Sequence, residues 1–214
     1  MHLIFWQLLM KIIQLTIVDL YMKKNKVKIM LCALILILMG CESKEISAGD
    51  YGAYWTKYQK QLSDTKQIGT YSMTMTYMPM DLLILNDNQG VITQETYHKS
   101  KTGFCDHYYF TIDIEDDKEK EVTKKYFIRD RQTQFSMIMA QDTLPCVLYQ
   151  PEMTALTNRF KINVVFQRPD EESCDSSVSK DIQIAYMNYR DSTGQKNIFT
   201  INKEKINQFK KIRL

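Results

Sequence analysis

The chain has 214 residues, 44% hydrophobic and 25% charged, with 28 Lys+Arg against 25 Asp+Glu. Only 7 Gly and 4 Pro occur, which excludes a collagen-like or low-complexity chain. Five of the bases (Lys11, Lys23, Lys24, Lys26, Lys28) and one acid (Asp19) precede Cys41, leaving 23 bases against 24 acids from Cys41 onward. The basic character therefore belongs to the first forty residues, and the remainder carries no electrostatic footprint for nucleic acid.

Met1 to Tyr21 is largely apolar, with the charges Lys11 and Asp19 interrupting it. Lys23, Lys24, Lys26 and Lys28 then form a compact positive segment, followed by the unbroken apolar run Ile29–Met39, Gly40 and Cys41. The run fits the roughly 7–15 residues of a signal-peptide core and falls short of the ~20 needed to span a membrane. Leu38-Met39-Gly40-Cys41 resembles the lipobox of bacterial lipoproteins. The resemblance covers residues 22–41 only, and Met39 stands where a small or β-branched residue is commoner. It implies cleavage before Cys41, a diacylglycerol on the Cys41 sulfur and an acylated amino terminus. One acyl chain holds a protein only marginally, at about 0.8 kcal/mol per buried CH₂, whereas two or three anchor it firmly. Glu42 follows the cysteine in place of the aspartate that resembles an inner-membrane retention signal, so the expected location is the outer membrane. Because the signal from Met22 is complete by itself, residues 1–21 are expected to be an upstream-start extension. An additional membrane helix is the alternative there.

Residues 41–50 are polar and read as a tether, leaving 51–214 as the globular domain. Tyr51, Tyr54, Trp55, Tyr58 and Leu62 recur at helical spacing, with Asp50 as a cap. Tyr71, Met73, Met75 and Tyr77 alternate with Ser72, Thr74 and Thr76, a half-buried strand ended by Pro79. Asp81–Leu85 fits helix or strand, Asn86–Gly90 is a turn, and Val91–Ser100 fits a short helix or an edge. Tyr108, Phe110, Ile112 and Ile114 mark a second strand, followed by an acidic and basic run of solvated surface. Phe135–Ala140 and Leu144–Tyr149 read as a hairpin whose second strand Pro145 places at an edge. Phe160–Gln167, Asp181–Tyr189 and Asn197–Ile201 supply further strands, and Lys203–Ile212 a closing basic helix. Short strands separated by turns predict a mainly β protein: an antiparallel β-sandwich-like single domain with an N-terminal amphipathic helix and a short C-terminal helix.

Signals for chemistry are sparse. There is no Gly-x-Ser-x-Gly elbow, no zinc spacing and no phosphate-cradling glycine loop. His98 and His107 are the imidazoles beyond Cys41, and a Cys105–His107 dyad lacks an electropositive setting. Three cysteines besides Cys41 enter an oxidising compartment. Cys105 and Cys146, both in strand-like surroundings, are the preferred disulfide pair, with Cys174 left over and full reduction the alternative. Met73, Met75, Met78 and Met80, with Met137 and Met139, offer soft sulfurs suited to Cu(I). Filling an irregular core is the simpler role for them, so no metal or cofactor is assigned. The expected function is non-catalytic binding or assembly at the envelope, with a membrane contacted through the lipid anchor and another envelope protein as partner. A periplasmic ligand or copper binder and an envelope hydrolase are the alternatives.

Overall fold

The computed structural model describes residues 45–116, 118–139, 142–152, 159–169, 177–190 and 194–214. The expected signal, the lipobox-like run with Cys41, and also Cys174, lie outside the described residues. In chain order the elements are β1 (Glu45–Ser47), α1 (Ala48–Tyr58), β2 (Ser63–Ile68), β3 (Tyr71–Met78), α2 (Met80–Asp87), α3 (Gln94–Phe104), β4 (His107–Glu115) and α4 (Lys120–Phe127). There follow β5 (Phe135–Met139), β6 (Asp142–Glu152), β7 (Arg159–Gln167), β8 (Ile182–Asn188), β9 (Gln195–Ile201), α5 (Lys203–Gln208) and β10 (Lys211–Arg213).

Eight strands form one antiparallel sheet in the order β2-β3-β4-β7-β6-β5-β8-β9. The sheet curls until its outer strands approach each other. Thr200 N–H of β9 donates to the Asp64 carboxylate of β2 at 2.9 Å, and the Lys66 ammonium stands 5.9 Å from the Phe199 ring centre. The result is nearly a barrel. A sandwich would need a break between two sheets, but β6 pairs with β7 on one side and β5 on the other, so the sheet runs through.

Period-two alternation fills the interior. Tyr71, Met73, Met75 and Tyr77 of β3 point inward beside Tyr108, Phe110, Ile112 and Ile114 of β4, all buried, in the register Met73↔Ile114 and Met75↔Ile112. From the far side, Phe135, Met137, Ile184 and Tyr186 meet them, and the Tyr71 and Tyr186 hydroxyls lie 3.2 Å apart across the core. An eight-stranded barrel is just wide enough for side chains to fill. Each such large apolar side chain contributes about 1.5–3 kcal/mol on burial.

Several local expectations are corrected. β6 is a central strand: Pro145 faces Ser136 of β5, but pairing with β7 begins only at Cys146, so the missing N–H costs no ladder bond on that side. Residues 45–50 are not tether, because β1 pairs in parallel with β10 and Ser47 caps α1 by accepting from Asp50 N–H. The helix at Tyr51 ends at Tyr58, and a 3-10 turn leads into β2, a polar strand with no apolar alternation to announce it. Gly69, at φ +59°, makes the two-residue turn from β2 to β3. Two segments left open between helix and strand are settled as helix: Asp81–Leu85 lies in α2, and Val91–Ser100 is helical from Gln94 onward in α3, started by a Thr93/Thr96 capping box. The C-terminal basic segment divides into α5 and β10.

One end of the barrel is closed by α4. Phe127 packs edge-on against Tyr71, with ring centres 5.6 Å apart. Beneath it lies Asp116, whose carboxylate accepts from Thr123 (2.6 Å), Thr70 (3.1 Å) and the N–H groups of Glu119 (2.8 Å) and Lys118 (3.0 Å). Arg190 reaches in from the end of β8, 3.5 Å from Asp116 and bonded to Glu119 and Thr123. Burial alone disfavours the Asp116 charge, but the hydrogen bonds from Thr123, Glu119, Lys118 and Thr70 outweigh it and hold the carboxyl at about 2. A depressed folded-state value stabilises the fold above the ordinary carboxylate range, and that contribution disappears as pH falls from about 4 towards 2. The difference is worth about 2 kcal/mol at neutral pH. Asp116→Asn is therefore expected to lower the urea-unfolding free energy by about 2 kcal/mol at pH 7, with the gap to the wild type closing between pH 4 and 2.

Candidate functional site

The opposite end is closed differently. Here α1, the β3–α2 junction, the end of β7 and the C-terminal segment converge around a pocket of about 200 Å³. α1 reaches it because Tyr51, Tyr54 and Trp55 face the body of the domain and pack on Phe209, with ring centres 6.3, 4.8 and 5.9 Å away. The aromatic stripe legible in the sequence is thus core-facing. It also brings the Tyr51 ring, fully buried, to the pocket wall.

The second organising group is Asp81, in the first turn of α2, only 6% exposed. Its Oδ1 accepts from the Tyr97 hydroxyl at 2.8 Å, and its Oδ2 accepts from Ile212 N–H at 2.7 Å. Asp81 therefore ties α3 and β10 to α2. Lys210 N–H donates to the Tyr54 hydroxyl at 3.2 Å, and Asn207 both accepts from Val178 N–H and donates to Val178 C=O at 2.9 Å. Side chains, rather than sheet neighbours alone, hold the C-terminal segment over this end.

Arg168, just past β7, is the principal cation. Its backbone N–H donates to Asp106 C=O at 2.7 Å, fixing where the side chain starts. Its guanidinium lies over the Tyr108 ring at 4.1 Å, and Nη1 donates to the Tyr108 hydroxyl at 3.3 Å. Nε is buried and has no hydrogen-bond partner, and the same is true of the Tyr51 hydroxyl. Burial raises the Tyr51 phenol well above its ordinary range, with the Asp81 charge adding to the effect. Burial also raises Tyr77, against the opposing pull of Arg168. Both phenols are protonated at neutral pH and available as donors. A buried polar group without a partner costs about 1–3 kcal/mol, so two in one pocket mark a place where an acceptor would be accommodated.

A second hollow, at the Asp116 end, is lined by Gly69, Thr70, Tyr71, Glu119 and Arg190. Its charged groups already satisfy one another, which makes it a structural joint.

The residues singled out from sequence occupy several parts of the fold. Met73 and Met75 point into the core, while Met78 takes the opposite face of β3, where its sulfur accepts from the Thr111 hydroxyl at 3.8 Å, and Met80 belongs to α2. Met137 and Met139 are core residues of β5. Among the described residues no three His, Cys, Asp or Glu side chains gather as for a metal. His98 is exposed on α3, and His107 begins β4. Arg168 and Asp81 carried no sequence signal beyond being charged residues beside apolar runs, since their partners are far away in the chain.

The expected Cys105–Cys146 disulfide is not formed. Cys146 is a free thiol and Cys105 is disulfide-bonded, so its partner lies outside the described residues. Cys105 sits at the C-cap of α3, before β4 begins, and not on a strand's inward face. Cys146 is 4% exposed opposite Phe166, its Sγ donating to Leu148 C=O at 2.9 Å. Burial pushes this thiol up to about 11, so it is neutral and shielded at physiological pH.

Two measurements check these assignments. Peptide mapping without reductant is expected to recover Cys105 in a cross-linked peptide, and Cys146 as a single peptide alkylated only after unfolding. Asp81→Ala removes the acceptor of the Ile212 N–H and Tyr97 hydroxyl hydrogen bonds, and is expected to cost about 2–4 kcal/mol in urea unfolding.

No family model matches the chain, and no curated protein matches it. Among solved structures it is similar to a crystal structure of a novel protein of unknown function from Burkholderia pseudomallei K96243. The TM-score is 0.40, with 8% identity over 77% of this chain and 94% of that one. A likeness at that level carries no functional argument, and the function of this chain rests on its own residues.

Proposed function

We propose that this protein is a lipid-anchored envelope lipoprotein with a non-catalytic binding role. The lipobox-like run Leu38-Met39-Gly40-Cys41 behind four lysines and eleven apolar residues supports the anchor. In this reading Cys41 carries the diacylglycerol, and the outer membrane is the favoured location. The observation that carries the binding role is the pocket beneath α1, where the Tyr51 hydroxyl and Arg168 Nε are buried without partners. Those groups favour a small ligand over the docking of another envelope protein, because a concave site with buried donors suits a molecule it can enclose.

Copper handling loses support, since the methionine sulfurs of β3 divide between opposite faces of the strand. The anchor is tested by expressing the full-length protein and its Cys41→Ala variant with an alkynyl palmitate. The wild type is expected to take up the label and fractionate with membranes, and the variant to do neither. Membrane attachment that survives Cys41→Ala would overturn the anchor.

A further inference from the structure

We propose that the pocket beneath α1 binds the carboxylate of a small organic acid, with Arg168 Nε–H and the Tyr51 O–H as donors. The inference deepens the reading of this pocket as the binding site and rests on it.

The unsatisfied groups set the ligand's polarity. Arg168 offers only donors, and Nε is the edge of its guanidinium left without a partner. Tyr51 is fully buried and lines the same pocket, and its hydroxyl has no partner. An acceptor-bearing ligand answers both; an ammonium answers neither guanidinium nor pocket charge.

Charge points the same way. Arg168, Lys210 and Lys211 line the pocket against one acid, Asp81. Asp81 already accepts from Tyr97 and Ile212, so its negative charge is largely engaged by the fold. Its presence still sets a limit. A singly charged carboxylate is tolerated beside it better than a dianionic phosphate, because like charges at short range disfavour each other's ionised forms.

Size and lining complete the assignment. The volume of about 200 Å³ lies below the roughly 300–1,000 Å³ of sites for drug-sized ligands. Tyr77, Val178, Ile206 and Phe209 supply an apolar and aromatic wall beside the donors. That combination fits a short acid with a compact apolar body, its charged end on Arg168 and its body against the rings.

The test is calorimetric titration of the detergent-solubilised full-length protein with benzoate, inorganic phosphate and benzylamine. Benzoate is expected to bind saturably, and phosphate and benzylamine not to. Hydrogen bonds to a charged group are worth enough that Arg168→Gln should weaken benzoate by about 30-fold or more, and Tyr51→Phe by about 10-fold. Tyr51→Phe removes only a hydroxyl without a partner, so its unfolding midpoint should not fall, and it remains informative if the arginine variant is unstable. Saturation by benzylamine or by phosphate in place of benzoate would overturn the carboxylate assignment and leave the pocket a binding site. Benzoate binding unchanged in both variants would place the acid elsewhere and overturn the proposal. Silence from all three probes would overturn the carboxylate assignment together with the pocket's binding role.

Discussion

A single antiparallel sheet with one apolar face has to cover that face with itself, and this constraint governs the rest of the domain. Inward-pointing Tyr, Met, Phe and Ile side chains on β3, β4, β5, β7 and β8 leave the eight-stranded sheet no stable flat form. Curling brings β2 and β9 together and fills the interior with side chains. What curling cannot do is cover the two ends. Each end is closed by helices, and each closure is organised by a buried carboxylate.

The two carboxylates differ in how far they are satisfied, and so do the ends. Asp116 receives four hydrogen bonds and an arginine, and that arginine also pairs with Glu119 and Thr123. That end behaves as a joint tying the β2–β3 turn, α4 and the end of β8 together. Asp81 secures the other end by holding β10 and α3, but the geometry leaves the Tyr51 hydroxyl and Arg168 Nε unanswered. Rigid surroundings combined with unmet donors are what a preorganised binding site requires, because little reordering is then needed when a ligand arrives.

The cysteines and methionines noted in the sequence occupy distinct places in the fold. Cys146 is a buried core thiol held neutral by burial, and Met73, Met75, Met137 and Met139 pack into an interior crowded with aromatic rings. Cys105 belongs to a disulfide that begins at the α3–β4 turn, close to where Arg168 N–H meets Asp106 C=O. The base of the pocket arginine is therefore held by backbone pairing beside a covalent crosslink.

By itself the sequence determined the β-rich class, most strand positions and the inward residues of β3, β4 and β8, because period-two alternation is a local property of the chain. It also determined the aromatic face of α1 and the lipobox resemblance, both short-range patterns. Tertiary structure alone decided that β6 is central despite Pro145, that polar Ser63–Ile68 is a strand, and that residues 45–47 pair with 211–213. It alone joined Tyr51, Asp81, Tyr97, Arg168 and Ile212 at one end of the barrel. Those residues are separated by up to 161 positions in the chain. No periodicity or spacing relates them; they meet because closing the sheet leaves an open end that the N-terminal helix and the C-terminal strand must cover together.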